Sequence, residues 1–145
     1  MRRVKSRGFM TKEELEELKK YTYDKEDFCM LENCNHVLKR IKERNIPLQV
    51  VKEVLESKCY DIVEFRVIKT YYEDKQRLDY RVLLRSKKSF FINKKWLNVC
   101  LSISLVNNNL VTAYWNFREE KHKEGFNQIY NIVRVLESGK RKQII

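Results

Sequence analysis

The chain has 145 residues, of which 43% are hydrophobic and 12% aromatic. This length and composition predict one folded domain and exclude an intrinsically disordered protein. Lys and Arg number 31 against 20 Asp and Glu, which gives a net charge of +11. Such an excess is most easily accommodated by an anionic partner, of which nucleic acid is the commonest, although a charge that only confers solubility is the alternative.

The N-terminus and the cysteines bear on where the protein works. Residues 1–7 are basic, but no apolar segment of signal-peptide length follows them, and no stretch is long enough to span a membrane. We therefore expect no contact with a membrane. Four scattered cysteines favour reduced thiols and a cytoplasmic location without excluding disulfides. They are Cys29, Cys34, Cys59 and Cys100.

Three helices are predicted within the first 57 residues. The first covers residues 11–21, with Thr11 at its start and acidic residues in its first turn. The second begins at Asn33 or Asn35 and continues to about residue 45. Pro47 disfavours helical geometry at the preceding residue and suits the start of the third helix, residues 48–57.

After residue 59 the apolar residues recur at every second position, which is typical of strands. The alternation at residues 63–67 and 79–85 predicts a hairpin with one apolar face. Residues 97–105 and 110–117 predict a second hairpin, and the asparagines at 107–109 predict the tight turn between them.

The length of this turn decides which side chains share a face. A three-residue turn pairs Leu105 with Val111, Ile103 with Ala113 and Leu101 with Trp115, whereas a two-residue turn mixes polar and apolar faces. We therefore favour the three-residue turn. The predicted polar face then contains Ser102, Ser104, Thr112, Tyr114 and Asn116, and we expect Glu64, Arg66, Arg81 and Arg85 to join them.

A closing helix is predicted at residues 123–137, ended by Gly139 and followed by a loose tail at 140–145. Together the elements predict an α+β fold, with N-terminal helices packed on one face of a small antiparallel four-stranded sheet and a C-terminal helix. We divide the single domain, residues 1–145, into an N-terminal helical extension (1–32), a core (33–117) and a C-terminal helix with a basic tail (118–145).

The two histidines are the first candidates for acid–base chemistry, because the chain lacks the common nucleotide-binding, zinc-protease and serine-hydrolase motifs. His36, Arg40 and Arg44 recur every four residues and so share one side of the second helix. Imidazole transfers protons near neutral pH, and guanidinium groups bind phosphate and stabilise a pentacoordinate transition state. The alternative is that all three are ordinary solvated residues.

The same stretch carries a family resemblance. Residues His36 to Ile46, followed by Val50 and Val54, resemble the H-x3-R-x3-R-x-I helical opening of small toxin-like and phage-borne proteins. These belong to the Barnase–EndoU–Colicin–RelE nuclease superfamily, which includes the BrnT-like toxins. Residues 110–116 resemble its final strands, so the resemblance covers about residues 34–118. The additional N-terminal helix and the insertion at residues 87–95 depart from the short toxins.

The resemblance implies that RNA binds on the open face of the sheet and is cleaved by attack of its 2′-hydroxyl, with no metal and no cofactor. It implies His36 as general base or acid, with Arg40 and either Arg81 or Arg85 stabilising the phosphorane. The catalytic candidates are His36, Arg40, Arg81, Arg85, Thr112, Tyr114 and Asn116. For Thr112 and Tyr114, plain cross-strand pairing on a solvent face is the alternative.

Further candidates lie outside this set. His122 follows the last strand in a charge run, where it is either a solvated turn residue or a second proton-transfer group. Basic residues interleaved with Phe90, Phe91 and Trp96 indicate a surface that follows an RNA backbone and stacks an unpaired base, although Phe90 and Phe91 also suit core packing. The nucleic-acid-binding candidates are Arg44, Arg66, Lys87, Lys88, Lys94, Lys95, Arg118 and His122. The spacing of Cys29, Cys34 and His36 matches no standard zinc site, so we predict no metal.

Two other functions stay open. The chain could be a non-catalytic module of phage or plasmid origin that binds nucleic acid or inhibits a host protein. It could also be a toxin-fold protein whose site has decayed and whose polar face is covered by an acidic antitoxin or immunity protein. The predicted partners are therefore RNA and, in the toxin interpretation, such an acidic protein.

Overall fold

The computed structural model describes residues 2–23, 35–106, 109–122, 124–127, 129 and 131–143. Cys29, Cys34, Asn107, Asn108 and residues 144–145 lie outside the described residues. The elements in chain order are β1 (Arg2–Ser6), a short 3-10 helix (Arg7–Phe9), α1 (Lys12–Tyr23), α2 (Asn35–Glu43), α3 (Leu48–Ser57), β2 (Tyr60–Tyr72), β3 (Lys75–Ser86), β4 (Phe90–Ile92), β5 (Lys95–Ser104), β6 (Leu110–Phe117), β7 (Phe126–Asn127) and α4 (Ile132–Gln143). The predicted α+β class is confirmed.

The strands of the described chain form one antiparallel sheet. Their order across the sheet is β6, β5, β3, β2, β1 and β7. Strand β4 pairs with the first residues of β5, on the same side of β5 as β3, which pairs with its later residues. The prediction of four strands was therefore incomplete, since it contained β2, β3, β5 and β6 but not β1, β4 and β7. The three missed strands are short, so they offer too few residues for an alternating pattern.

One face of the sheet carries the hydrophobic core. Phe65, Val82 and Leu101 on this face are fully buried, and they belong to one cluster with Leu18 of α1 and Ile132 of α4. Both terminal helices therefore pack on the same core as the central helices. Among the described residues, no helix is long and apolar enough to cross a membrane.

A buried ion pair fastens the terminal helices to the sheet. Lys5 of β1 donates to both carboxylate oxygens of Glu14 in α1, at 2.9 and 2.8 Å. Glu14 also accepts a hydrogen bond of 2.8 Å from the backbone N–H of Ile132, at the start of α4. Because removal of either partner would leave a buried charge, this pair couples both chain ends to the fold.

The register of β5 with β6 differs from the predicted one. Leu101 lies opposite Ala113 and Val99 opposite Trp115, and the register shifts between Ser102 and Ile103. The prediction of Leu101 opposite Trp115 was therefore wrong. Over residues 112–116 the difference is two residues, so those side chains keep their predicted faces. Beyond the shift, Leu110 lies opposite Ile103 in the core, and Val111, predicted for the core face, lines a pocket on the opposite face.

The predicted closing helix was also wrong in its bounds. Residues 126–127 form β7, which pairs with β1, and α4 begins only at Ile132 and continues past Gly139. Asn131 caps this helix, because its side-chain oxygen accepts a hydrogen bond from the N–H of Arg134. Residues 126–127, which were predicted near the start of this helix, instead pair with the free edge of β1.

Candidate active site on the polar face of the sheet

The face opposite the core contains a polar group of side chains, here called the polar face. Strand pairing places Arg66 opposite Arg81, Ser102 opposite Thr112, and Cys100 between Arg85 and Tyr114. The predicted grouping of polar residues on one face is confirmed. Its members are Glu64, Arg66, Asp79, Arg81, Arg85, Asn98, Cys100, Ser102, Ser104, Thr112, Tyr114 and Asn116.

Two arginines face each other directly across β2 and β3. Arg66 donates through Nε to Glu64, two residues earlier in the same strand. Arg81 does the same with Asp79 at 2.6 Å, and Ser104 Oγ donates to the other Asp79 oxygen at 2.6 Å. Among the described residues, neither arginine uses its terminal nitrogens in a hydrogen bond. Like charges directly opposite each other are unfavourable, so this arginine pair (Arg66 and Arg81) suits an anion bound between them.

The arginine pair lines a pocket of about 200 Å³. The pocket is lined by Glu64, Arg66, Ile68, Arg81, Leu83, Ser102, Val111, Thr112 and Tyr114. Arg44, at the end of α2, reaches its rim by donating to Thr112 Oγ1 at 3.2 Å and to the carbonyl of Ala113 at 2.6 Å. Two arginines thus line this pocket, and a third contacts Thr112, one of its lining residues.

The chain after β6 passes over one end of the polar face. This crossing segment (residues 118–122 and 124–125) leads from β6 to the far edge of the sheet, where the Gly125 N–H donates to Ser6 Oγ at 2.8 Å. Arg85 donates to the carbonyl oxygens of Phe117, Arg118 and Glu120 at 3.0, 3.0 and 2.7 Å. Of the two predicted phosphate ligands, Arg85 is therefore engaged with this segment, whereas Arg81 lines the pocket.

The crossing segment brings His122 onto the polar face. Its Nε2 lies 3.4 Å from Asn116 Nδ2 and 3.7 Å from Cys100 Sγ. Because an amide nitrogen only donates, the contact with Asn116 favours the tautomer with the lone pair on Nε2. Burial lowers the pKa of His122, and the nearby Arg85 lowers it further, while Glu64 and Glu120 oppose the shift. His122 is therefore a neutral imidazole at neutral pH.

Tyr114 and Cys100 lie opposite each other next to His122. Burial raises the pKa of Tyr114 to about 12, and the neighbouring Cys100 adds to the rise. Burial also raises the pKa of Cys100 to about 11, although Arg85 opposes it. Both groups keep their protons at neutral pH. Tyr114 can therefore donate a hydrogen bond, whereas Cys100 is a poor nucleophile because its thiolate is not populated.

Of the predicted row His36, Arg40 and Arg44, only Arg44 lies near this site. His36 and Arg40 are exposed on α2, whereas Arg44 is partly buried against Thr112. Among the described residues, no recorded contact joins His36 to the polar face. The exposed residues Lys87, Lys88, Lys94, Lys95 and Arg118 surround β4 and the adjoining end of the sheet.

Several members of the site were not singled out from the sequence. Asp79, Asn98 and Cys100 belong to the polar face, and the same alternation that identified Thr112 and Tyr114 could have identified them. No group of three or more potential metal-ligating side chains is found in the described part of the chain. Comparisons with protein-family models, with curated proteins and with solved structures found no match to this chain.

Proposed function

We propose that the protein is a metal-independent endoribonuclease whose active site is the pocket on the polar face. The observation that carries the proposal is the arginine pair in one pocket with Tyr114, whose cross-strand partner Cys100 contacts the neutral imidazole of His122. Phosphate recognition and proton transfer are thereby available on one face of the sheet. The net charge of +11 fits a polyanionic substrate.

In this proposal the arginine pair binds the scissile phosphate. Nε of each arginine is used by its own carboxylate, so the guanidinium orientation is set before substrate binds. The terminal nitrogens supply charge-assisted hydrogen bonds to the phosphate oxygens, which become more negative in the phosphorane. A preorganised pair stabilises this transition state because little reorganisation is needed during the reaction.

Nε2 of His122, which carries the lone pair, exchanges its 3.4 Å contact with Asn116 Nδ2 for the RNA 2′-hydroxyl and accepts its proton. The 2′-oxygen then attacks phosphorus, the bond from phosphorus to the 5′-oxygen breaks, and the leaving oxygen takes a proton from the Tyr114 hydroxyl. His122 releases its proton to solvent and Tyr114 recovers one from solvent, so both groups return to their starting states. The products are a 2′,3′-cyclic phosphate and a 5′-hydroxyl. Thr112, which accepts a hydrogen bond from Arg44, positions the strand at the rim of the pocket. General acid–base catalysis of this kind typically contributes 10²–10⁴-fold in rate.

The test is cleavage of total RNA in EDTA by pure protein, with His122→Ala compared with His36→Ala. We expect the wild type to produce fragments with cyclic phosphate ends, and His122→Ala to lose about 10²-fold or more of that activity. His36→Ala is the matched control, because it removes the chain's other imidazole, an exposed one on α2.

Two results would contradict the proposal in different ways. Loss of activity in His36→Ala alone would transfer the catalytic role to the predicted helical row. Intact RNA with all proteins, together with salt-dependent RNA binding, would favour the non-catalytic binding module.

A further inference from the structure

Three large aromatic side chains are exposed at the end of the sheet that carries β4. Phe91, Trp96 and Phe117 are 59%, 48% and 46% exposed. Phe91 lies opposite Trp96 in the β4–β5 pair, on the side of the polar face, whereas Phe117 lies opposite Leu97, the residue after Trp96, and therefore on the other face of the sheet. Phe90, by contrast, is partly buried and packs against Trp115, as core packing predicts. Apolar rings clustered on a surface indicate an interaction site.

Cations accompany these rings. The Arg118 guanidinium carbon lies 5.3 Å from the centre of the Trp96 ring, and Lys95 Nζ lies 5.4 Å from the centre of the Phe117 ring. Phe91 and Trp96 contact each other with ring centres 5.1 Å apart. We call Phe91, Trp96 and Phe117, with Lys95 and Arg118, the aromatic patch. Rings for stacking combined with charges for phosphates are typical of proteins that bind single-stranded nucleic acid.

The patch is continuous with the proposed active site. Phe117 and Lys95 also line a pocket of about 360 Å³, together with Trp115 and Arg44. Arg44 in turn donates to Thr112, which lines the pocket of the arginine pair. A strand whose phosphate lies at the arginine pair can therefore pass around the edge strand β6 to Phe117 and Lys95. From there it can continue around the end of the sheet to Trp96, Phe91 and Arg118, on the other face.

We propose that the aromatic patch and its adjoining pocket bind unpaired bases of a single-stranded RNA that flank the cleaved phosphate. The inference rests on the proposed function for the identity of the strand as RNA. Unpaired bases expose the faces that stack on Trp96 and Phe91, whereas bases in a duplex are already stacked on each other. The substrate class is therefore single-stranded RNA.

The test measures binding of a labelled, single-stranded 2′-O-methyl oligouridylate by fluorescence anisotropy. This probe lacks the free 2′-hydroxyl needed for cleavage, so binding is measured whether or not the protein is an enzyme. The Phe91→Leu/Trp96→Leu variant should bind on the order of fivefold to a hundredfold more weakly for each ring that stacks a base. Tyr71→Leu is the matched control, since Tyr71 is 74% exposed at the opposite hairpin and should leave affinity unchanged.

A second variant tests the patch independently, in case the first variant does not fold. Lys95→Gln/Arg118→Gln changes only exposed side chains and should weaken binding while leaving the thermal unfolding temperature nearly unchanged. The proposal is overturned if the wild type does not bind the probe, if duplex RNA of the same length binds equally well, or if both patch variants bind like the wild type. Binding that depends on the patch, without any RNA cleavage, would contradict the ribonuclease proposal but support base binding at the patch. RNA cleavage by patch variants that bind with wild-type affinity would support the ribonuclease proposal but contradict base binding at the patch.

Discussion

His122 is the residue on which proton transfer depends, and its environment is set by the neighbours of the crossing segment. Burial and Arg85 disfavour the imidazolium, whereas Glu64 and Glu120 stabilise it. The folded protein therefore binds the His122 proton more weakly than the unfolded chain. The stabilisation associated with this group is present above pH 6.5, its ordinary pKa, and is lost as the pH falls toward the lowered pKa.

Substitution of Glu120 should lower the pKa of His122 further. In a His36→Gln background, His122 is the sole histidine, so proton NMR titration follows one imidazole. We expect a midpoint below pH 6.5, a still lower midpoint in Glu120→Gln, and no change in Glu119→Gln, the matched control one residue away. A midpoint above 6.5 would mean that the imidazole is not desolvated and that its assignment as a neutral base at neutral pH is wrong.

At the scale of elements, the alternation of polar and apolar residues predicted the long strands, whereas the paths of irregular segments could not be predicted. The four long strands and the shared face of Thr112 and Tyr114 could be predicted because a period of two survives a register error of two residues. The faces of Leu110 and Val111 could not, since the register shift near Ser102 exchanges them. Strand β1 could not, since it is only five residues long and Lys5 lies in the core only because Glu14 of α1 pairs with it. The position of His122 likewise depends on the crossing segment, whose path is fixed by long-range contacts with Arg85 and Ser6.

The two tight hairpin turns have the same backbone and different charges. Glu73 and Asp74 join β2 to β3 with φ of 51° and 62°, and Asn93 and Lys94 join β4 to β5 with φ of 51° and 64°. Glycine adopts such positive φ without steric cost, so Lys94→Gly and Asp74→Gly should each raise the free energy of unfolding by about 1 kcal/mol in urea titrations.

Only one of these turns adjoins the aromatic patch. Lys94→Gly should therefore also weaken binding of the oligouridylate, whereas Asp74→Gly should not. If Lys94→Gly destabilised the protein, the backbone assigned to this turn would be wrong. Unchanged affinity would instead show that the charge of Lys94 does not contact the RNA.

At the scale of the whole molecule, the sheet separates stability from recognition. Its core face buries hydrophobic residues of the described helices α1 to α4, and the opposite face leaves the arginine pair and the crossing segment available to a ligand. The aromatic patch lies at one end of the sheet, around both faces. Changes on the polar face can therefore alter binding without removing core contacts. A net charge of +11 nevertheless attracts RNA to every surface, so a specific phosphate contact must be separated from this general attraction.

A substitution that preserves net charge makes this separation. Glu64→Gln/Arg66→Gln removes one member of the arginine pair together with the carboxylate beside it, so no unpaired buried charge remains. If Arg66 binds a phosphate, the slope of the logarithm of the binding constant against the logarithm of salt concentration should decrease in magnitude by about 0.7, the value for one phosphate on a single strand. Glu17→Gln/Lys20→Gln, an equally neutral change to an ion pair on α1, should leave the slope unchanged. Equal slopes in all three proteins would mean that Arg66 does not contact the RNA backbone.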